Sequence, residues 1–164
     1  MLNIAFKEWA VICKALADCR QTIILRKGGI ADEGGLFKPE HDRFWLYPTY
    51  VHQQTAGIKP QALPQLQQVE ADRPPVGIVR IQHFVEVTAV RFLDTLETAL
   101  AIGPSHIWSE ETIRQRFHYR KPGLFELTVK VTAIPMAIDI QETPEYAGCK
   151  TWVTLEKVIS TENS

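Results

Sequence analysis

An α+β fold, with a mixed, mostly antiparallel sheet and helices packed on one face, is predicted by three features of this sequence. Apolar and polar side chains alternate through residues 79–89 and again through 125–133, the mark of long strands with one wet face. Leu2, Phe6, Trp9, Cys13 and Leu16 recur at spacings of three and four, which marks one face of a helix. Helix-opening and helix-ending residues fall between the strand patterns, so the two element types interleave. The 164 residues are enough for one domain, 1–164, with a buried core. A division into lobes 1–73 and 76–159 stays open, because Arg73-Pro74-Pro75 breaks the chain there.

In order, the first helix should end near Asp18–Arg20, where the β-branched run Thr22-Ile23-Ile24-Leu25 opens a strand. That strand enters the turn Arg26-Lys27-Gly28-Gly29, and a second strand, Phe44-Trp45-Leu46-Tyr47, is stopped by Pro48. The two strands are expected to pair as a hairpin around a long Gly-rich loop. Lys59-Pro60 opens a helix with a narrow stripe of Leu63, Leu66 and Val69, ended at Arg73. Residues 79–89 form a long strand interrupted at His83-Phe84. Asp94 and Glu97 cap a helix that Gly103-Pro104 terminates. Ser109 caps the next, with Glu110 and Glu111 in its first turn and arginines towards its end, the order the helix dipole favours. Phe125–Ala133 and Trp152–Leu155 are strands, and Ser160–Ser164 is a frayed tail.

Composition narrows the function classes. Eighteen Lys and Arg against 19 Asp and Glu give a net charge of −1, so the chain is not a diffuse basic coat for nucleic acid; a basic site must be local. Lys7, Glu8 and Lys14 interrupt the apolar amino terminus, and no apolar run reaches the roughly 18 residues of a membrane span. Three cysteines without an export signal point to reduced thiols and a cytoplasmic location. The five histidines lie at least eleven residues apart, so no close ligand pair predicts a metal, and no motif predicts a cofactor.

Three stretches carry candidate chemistry. In LRKGGI, residues 25–30, Gly28 and Gly29 let backbone N–H groups turn towards an anion that Arg26 and Lys27 attract; the alternative is a plain turn with two solvated cations. In FWLYPTYVHQ, residues 44–53, Tyr47, Thr49, His52 and Gln53 are presented at the strand exit. His52 is the candidate acid/base group, since imidazole titrates near neutrality. In IRQRFHYRKPG, residues 113–123, Arg114, Arg116, Arg120 and Lys121 interleave with rings, as a surface for single-stranded nucleic acid requires. Arg114 also suits a helix end, with Phe117 in the core.

Spacing excludes several enzymes. No Asp or Glu stands two residues before a Lys, as the PD-(D/E)xK nucleases need, and neither a two-histidine phosphoesterase pair nor G-x-S-x-G occurs. Cys149 beside Lys150 is either a nucleophile or a packed thiol.

The blocks FKEWA (6–10), LRKGGI (25–30), FWLYPTYVHQ (44–53), HIWSEETIRQRFHYRKPGLFELTVKV (106–131) and YAGCKTWVTL (146–155) occur in order. Together they resemble a bacterial family, common in cyanobacteria, defined as domain of unknown function DUF1802. The resemblance transfers no activity.

The leading expectation is a cytoplasmic domain that binds a phosphate-bearing ligand, nucleic acid or a phosphorylated small molecule, through Arg26–Gly29 and the cations of residues 114–121. That requires the two stretches to meet in space. One alternative is a phosphodiester or nucleotide hydrolase using His52 or His118 with carboxylates such as Glu8 and Glu33. Another is a protein-interaction subunit presenting Trp45, Tyr47, Trp108 and Trp152.

Overall fold

A computed structural model describes residues 2–148 and 150–162. Six strands form a mixed sheet in the order β2-β7-β6-β5-β1-β8, namely Ile23–Arg26, Leu124–Gln141, Ile78–Leu93, Arg43–Thr49, Leu2–Trp9 and Trp152–Ile159. All neighbours are antiparallel except β1 and β5, which run parallel. A small hairpin, β3 (Ile30–Glu33) and β4 (Leu36–Pro39), stands apart. The helices are α1 (Ala10–Ala17), α2 (Leu63–Ala71), α3 (Leu96–Ala101) and α4 (Glu110–His118). The chain is therefore α+β, as its patterning predicts.

Three features depart from expectation. The helical stripe at the amino terminus is half strand: Leu2–Trp9 is β1, and only from Ala10 does the chain turn helical. β1 is hydrogen-bonded on both sides, to β5 and β8, and that pairing outweighs an eight-residue preference. Nor do β2 and β5 form a hairpin. β2 pairs with β7, β5 lies between β1 and β6, and the β3–β4 hairpin fills the connection. Thr95, not Asp94, caps α3, accepting from Thr98 N–H at 3.1 Å. Ser109 caps α4 as expected, at 3.2 Å from Thr112 N. β6 carries a register shift between Ile81 and His83, where its alternation breaks.

The core explains why β5 is continuously apolar. Phe6, Phe44 and Leu46 face one cluster with the buried residues of α1 and α4; Ala5, Trp45 and Tyr47 face a second with Val79, Ile81 and Tyr146. A strand buried on both faces has no wet side to alternate with. Phe6, Phe44 and Trp152 meet at ring-centroid distances of 4.9–5.3 Å, contacts worth about 0.5–1.5 kcal/mol each beyond their burial.

Two further features shape the site. β5 pairs with β6 only at Arg43, Phe44 and Trp45, and further along the strand Pro48 has no N–H to give. The end of β5 and the start of β6 therefore part. The sheet also curls: Arg26 on edge strand β2 lies over the rings of Phe6 and of Trp152, the latter on the opposite edge strand. No helix among the described residues is long and apolar enough to cross a membrane.

Candidate functional site

A cleft of about 860 Å³ opens where β5 and β6 part. This lies within the span of about 300–1,000 Å³ common to ligand sites. Its walls are the ends of β1 and β5, the exit of β2, residues 73–79 and the segment around Tyr146. The parallel pairing of β1 with β5 brings Glu8 opposite Pro48 and Trp9 opposite Thr49, so both strands deliver side chains to the same end.

Two arginines define one wall. The Arg116 guanidinium sits 5.1 Å from the Trp9 ring centroid and 5.0 Å from that of Trp108. Arg26 is held likewise between Phe6 and Trp152, at 5.3 and 5.4 Å. Each ring contact on a shielded cation is worth about 0.5–2 kcal/mol. Burial lowers the pKa of both below the ordinary guanidinium value; Glu40 and then Glu8 push Arg26 back up, and Glu8 does so for Arg116. Among the described residues none accepts a hydrogen bond from Arg116, and Arg26 donates only from Nε, to Gly28 O at 3.3 Å. The ring contacts hold both groups at the cleft wall, and most of their N–H donors have no acceptor among the described residues.

Glu8 lies in the same cleft and is only 6% exposed. One oxygen accepts from Trp9 N–H at 2.9 Å. Burial pushes its pKa up, against the pull of Arg116, the Trp9 N–H and Arg26. Tyr47 donates to Glu142 at 3.2 Å, and burial first, then the Glu142 charge, raise its phenol well above the usual range. Thr49 Oγ1 donates to Glu8 O at 3.2 Å. Lys7 also lines the cleft, with Nζ bonded to the carbonyls of Tyr146 and Gly148. At the rim, Arg73 covers the Tyr50 ring at 4.7 Å.

The two cationic stretches named from sequence do meet. Lys27 Nζ donates to Phe117 O at 2.7 Å, Lys121 O at 2.5 Å and Gly123 O at 2.7 Å, closing the carboxyl end of α4 against the exit of β2. All three ammonium donors are taken by backbone, and Lys27 serves as the clasp between the stretches. Gly28 lines the cleft. Gly29 takes φ +74°, and a Cβ there would come within 2.8 Å of the Arg26 guanidinium.

The remaining candidates scatter. His52 lines the cleft on an exposed loop. Gln53 turns inward, accepting from Val11 N at 3.0 Å and donating to Glu70 at 2.6 Å, which ties α1 to α2 away from the opening. Arg114 is exposed and paired with Glu110 at 2.6 Å. Arg120, at φ +59°, stacks on Tyr119, and Lys121 is exposed; neither lines the cleft. His118 is exposed at the end of α4, and Glu33 pairs with Lys38 at 2.9 Å outside the cleft. The expected aromatic contact surface is not on offer, because Trp45 and Trp108 are 0% exposed, Tyr47 is buried and Trp152 half-buried. Cys149 lies outside the described residues.

Sequence reasoning missed Trp9 and Trp108 as the rings that hold Arg116. Their signal was present only as a spacing, since Trp9 counted towards a helical stripe that is not a helix.

The family model of domain of unknown function DUF1802 matches residues 5–164. The chain belongs to the DUF1802 family. Among curated proteins none matches. Among solved structures, this DUF1802 chain is similar to ASCH from Zymomonas mobilis, at TM-score 0.48 and 16% identity over 77% of this chain and 66% of that one, just under two thirds of its length. Two single-substitution variants of ZmASCH from the same organism align more fully. The serine-to-alanine variant gives TM-score 0.55 and 15% identity, covering 94% of this chain and 88% of that one. The tyrosine-to-phenylalanine variant gives 0.55 and 13%, covering 94% and 90%. The likeness is one of fold.

Proposed function

We propose that this DUF1802 chain binds single-stranded nucleic acid in the cleft between β5 and β6, with phosphate held by Arg26 and Arg116. The carrying observation is Arg116: a guanidinium fixed between two indole rings, open to a cleft, with no acceptor among the described residues. Desolvating a cation without a partner is costly, and an anion arriving there would meet donors already in place. Gly28 brings backbone close, Thr49 and Tyr47 add polar groups, and the rims carry Arg73 and Lys150. Tyr50, at the rim beneath Arg73, offers a ring beside which a base could stack. With the protein's overall charge near zero, the field that attracts the ligand is confined to this wall.

Labelled single- and double-stranded DNA and RNA, titrated across a salt series, test the reading. Two phosphates neutralised on a single strand give a log–log slope of about −1.4. Absence of affinity, or affinity that does not fall with salt, overturns it.

His52 in the same cleft favours a second reading, a phosphodiester hydrolase with this imidazole as general acid or base. Incubation with RNA, DNA and nucleotides in Mg²⁺, Mn²⁺ or EDTA separates the two; no turnover in any of them removes the hydrolase.

A further inference from the structure

We propose that Glu8 selects a guanine base, by accepting hydrogen bonds from the guanine Watson–Crick edge while Arg26 and Arg116 hold adjoining phosphates. The inference rests on the nucleic-acid reading of the cleft and names the unit it would prefer.

Glu8 is over nine-tenths buried yet reaches the cleft, an arrangement that needs a reason because a buried carboxylate is expensive. Neutralising the arginines is not a sufficient one: Glu8 forms an ion pair with neither among the described residues and feels both only at longer range. The Trp9 N–H fixes one oxygen, and no described side chain donates to the other. The carboxylate is thus oriented and left with accepting capacity at the cleft floor.

A ligand for this floor must satisfy two demands at once. It must bring N–H donors to Glu8, and it must be anionic overall, because a cation would be repelled by the two guanidinium groups beside it. A nucleotide meets both. Of the four bases only guanine offers two adjacent donors, N1–H and the N2 amine, in the fork a carboxylate accepts; uracil offers one, and adenine and cytosine set an acceptor beside their amine. Unstacked bases of single strands are read on this edge. A matched two-bond contact discriminates by about tenfold or more.

The test measures fluorescence anisotropy of labelled RNA pentanucleotides, four uridines around a central G, inosine, A, C or U, with the deoxy series beside them. We expect the G oligomer to bind about tenfold or more tighter than A, C and U. Inosine, which keeps N1–H and lacks the amine, falls between. Glu8→Gln puts an amide donor where the base needs an acceptor, so the G preference should shrink to about twofold or less with the salt slope unchanged. Equal affinity for all bases, or a G preference that survives in Glu8→Gln, overturns the assignment to Glu8 while leaving the cleft a nucleic-acid site. No binding of any oligomer overturns both. Should Glu8→Gln fail to give a native circular-dichroism spectrum, the wild-type panel with inosine decides alone.

Discussion

Arg114 and Arg116 stand two residues apart on one helix and share a charge, but not a situation. Arg114 is exposed, closed into an i,i+4 pair with Glu110, a contact of the kind worth about 0.3–0.5 kcal/mol. Arg116, some 200° round the helix, is sandwiched by Trp9 and Trp108 and presents its donors to a cleft. A run of cations in a sequence is therefore not a site. The helical phase divides it into a solvated side and a built side, and only the built side has the rings that fix a guanidinium in place.

The sharpest way to break this contrast is to substitute both. Arg116→Ala should weaken single-stranded RNA binding by about ten- to a hundredfold, the loss expected when a charge-assisted contact of about 1.5–3 kcal/mol disappears. Arg114→Ala should change it by less than about twofold. Equal losses measured by anisotropy would mean that diffuse charge, not the clamped group, binds.

Next in size is the clasp. Lys27→Met should cost about 2–3 kcal/mol of stability by urea denaturation, because three backbone carbonyls lose their donor together, whereas Lys121→Met should cost nearly nothing.

A comparable effect arises just before α4, where His106 is 4% exposed with neither ring nitrogen partnered among the described residues. Burial first, then Lys59 and Arg116, lowers its pKa from the ordinary 6.5 to about 4. The unfolded chain thus takes up the proton first as pH falls. The neutral ring's contribution is complete above about pH 6.5 and is lost on the way down to about pH 4, roughly 2–3 kcal/mol. The difference in stability between His106→Phe and wild type, followed from pH 7 to 4, should shift by that amount in favour of the variant; a pH-independent difference would refute the sign.

Smallest is Gly29→Ala. Its φ of +74° and the 2.8 Å approach to the Arg26 guanidinium predict about 1 kcal/mol of destabilisation and a displaced Arg26. Weaker binding than Gly28→Ala shows, with Gly28 clear of any contact within 4 Å, is the readout.

How much of this was legible depends on whether the cause was local. β6 and β7 announce themselves because each keeps a wet face, and Ser109 caps α4 through a bond three residues away. β1 was misread because Leu2, Phe6 and Trp9 satisfy a helical spacing, and only partners 40 and 150 residues distant decide otherwise. Arg26 and Arg116 could be nominated as cations in suggestive company, but Lys27 could not be told from them: its three acceptors lie some 90 residues further on. Pro48 was legible as a strand stop, yet the strand runs on to Thr49, and what ends near it is the pairing with β6, where the cleft opens.

The pairing of β1 with β8 has one more consequence. Trp152, half of the clamp on Arg26, comes from the final strand, while Phe6, the other half, comes from the first. On a ribosome Phe6 emerges well over a hundred residues ahead of Trp152, and such distant closures are slow. A nascent chain halted anywhere before β8 would carry the loose arginine without its vice. Of the six strands in the sheet, the last to be synthesised is the one that completes the hold on Arg26.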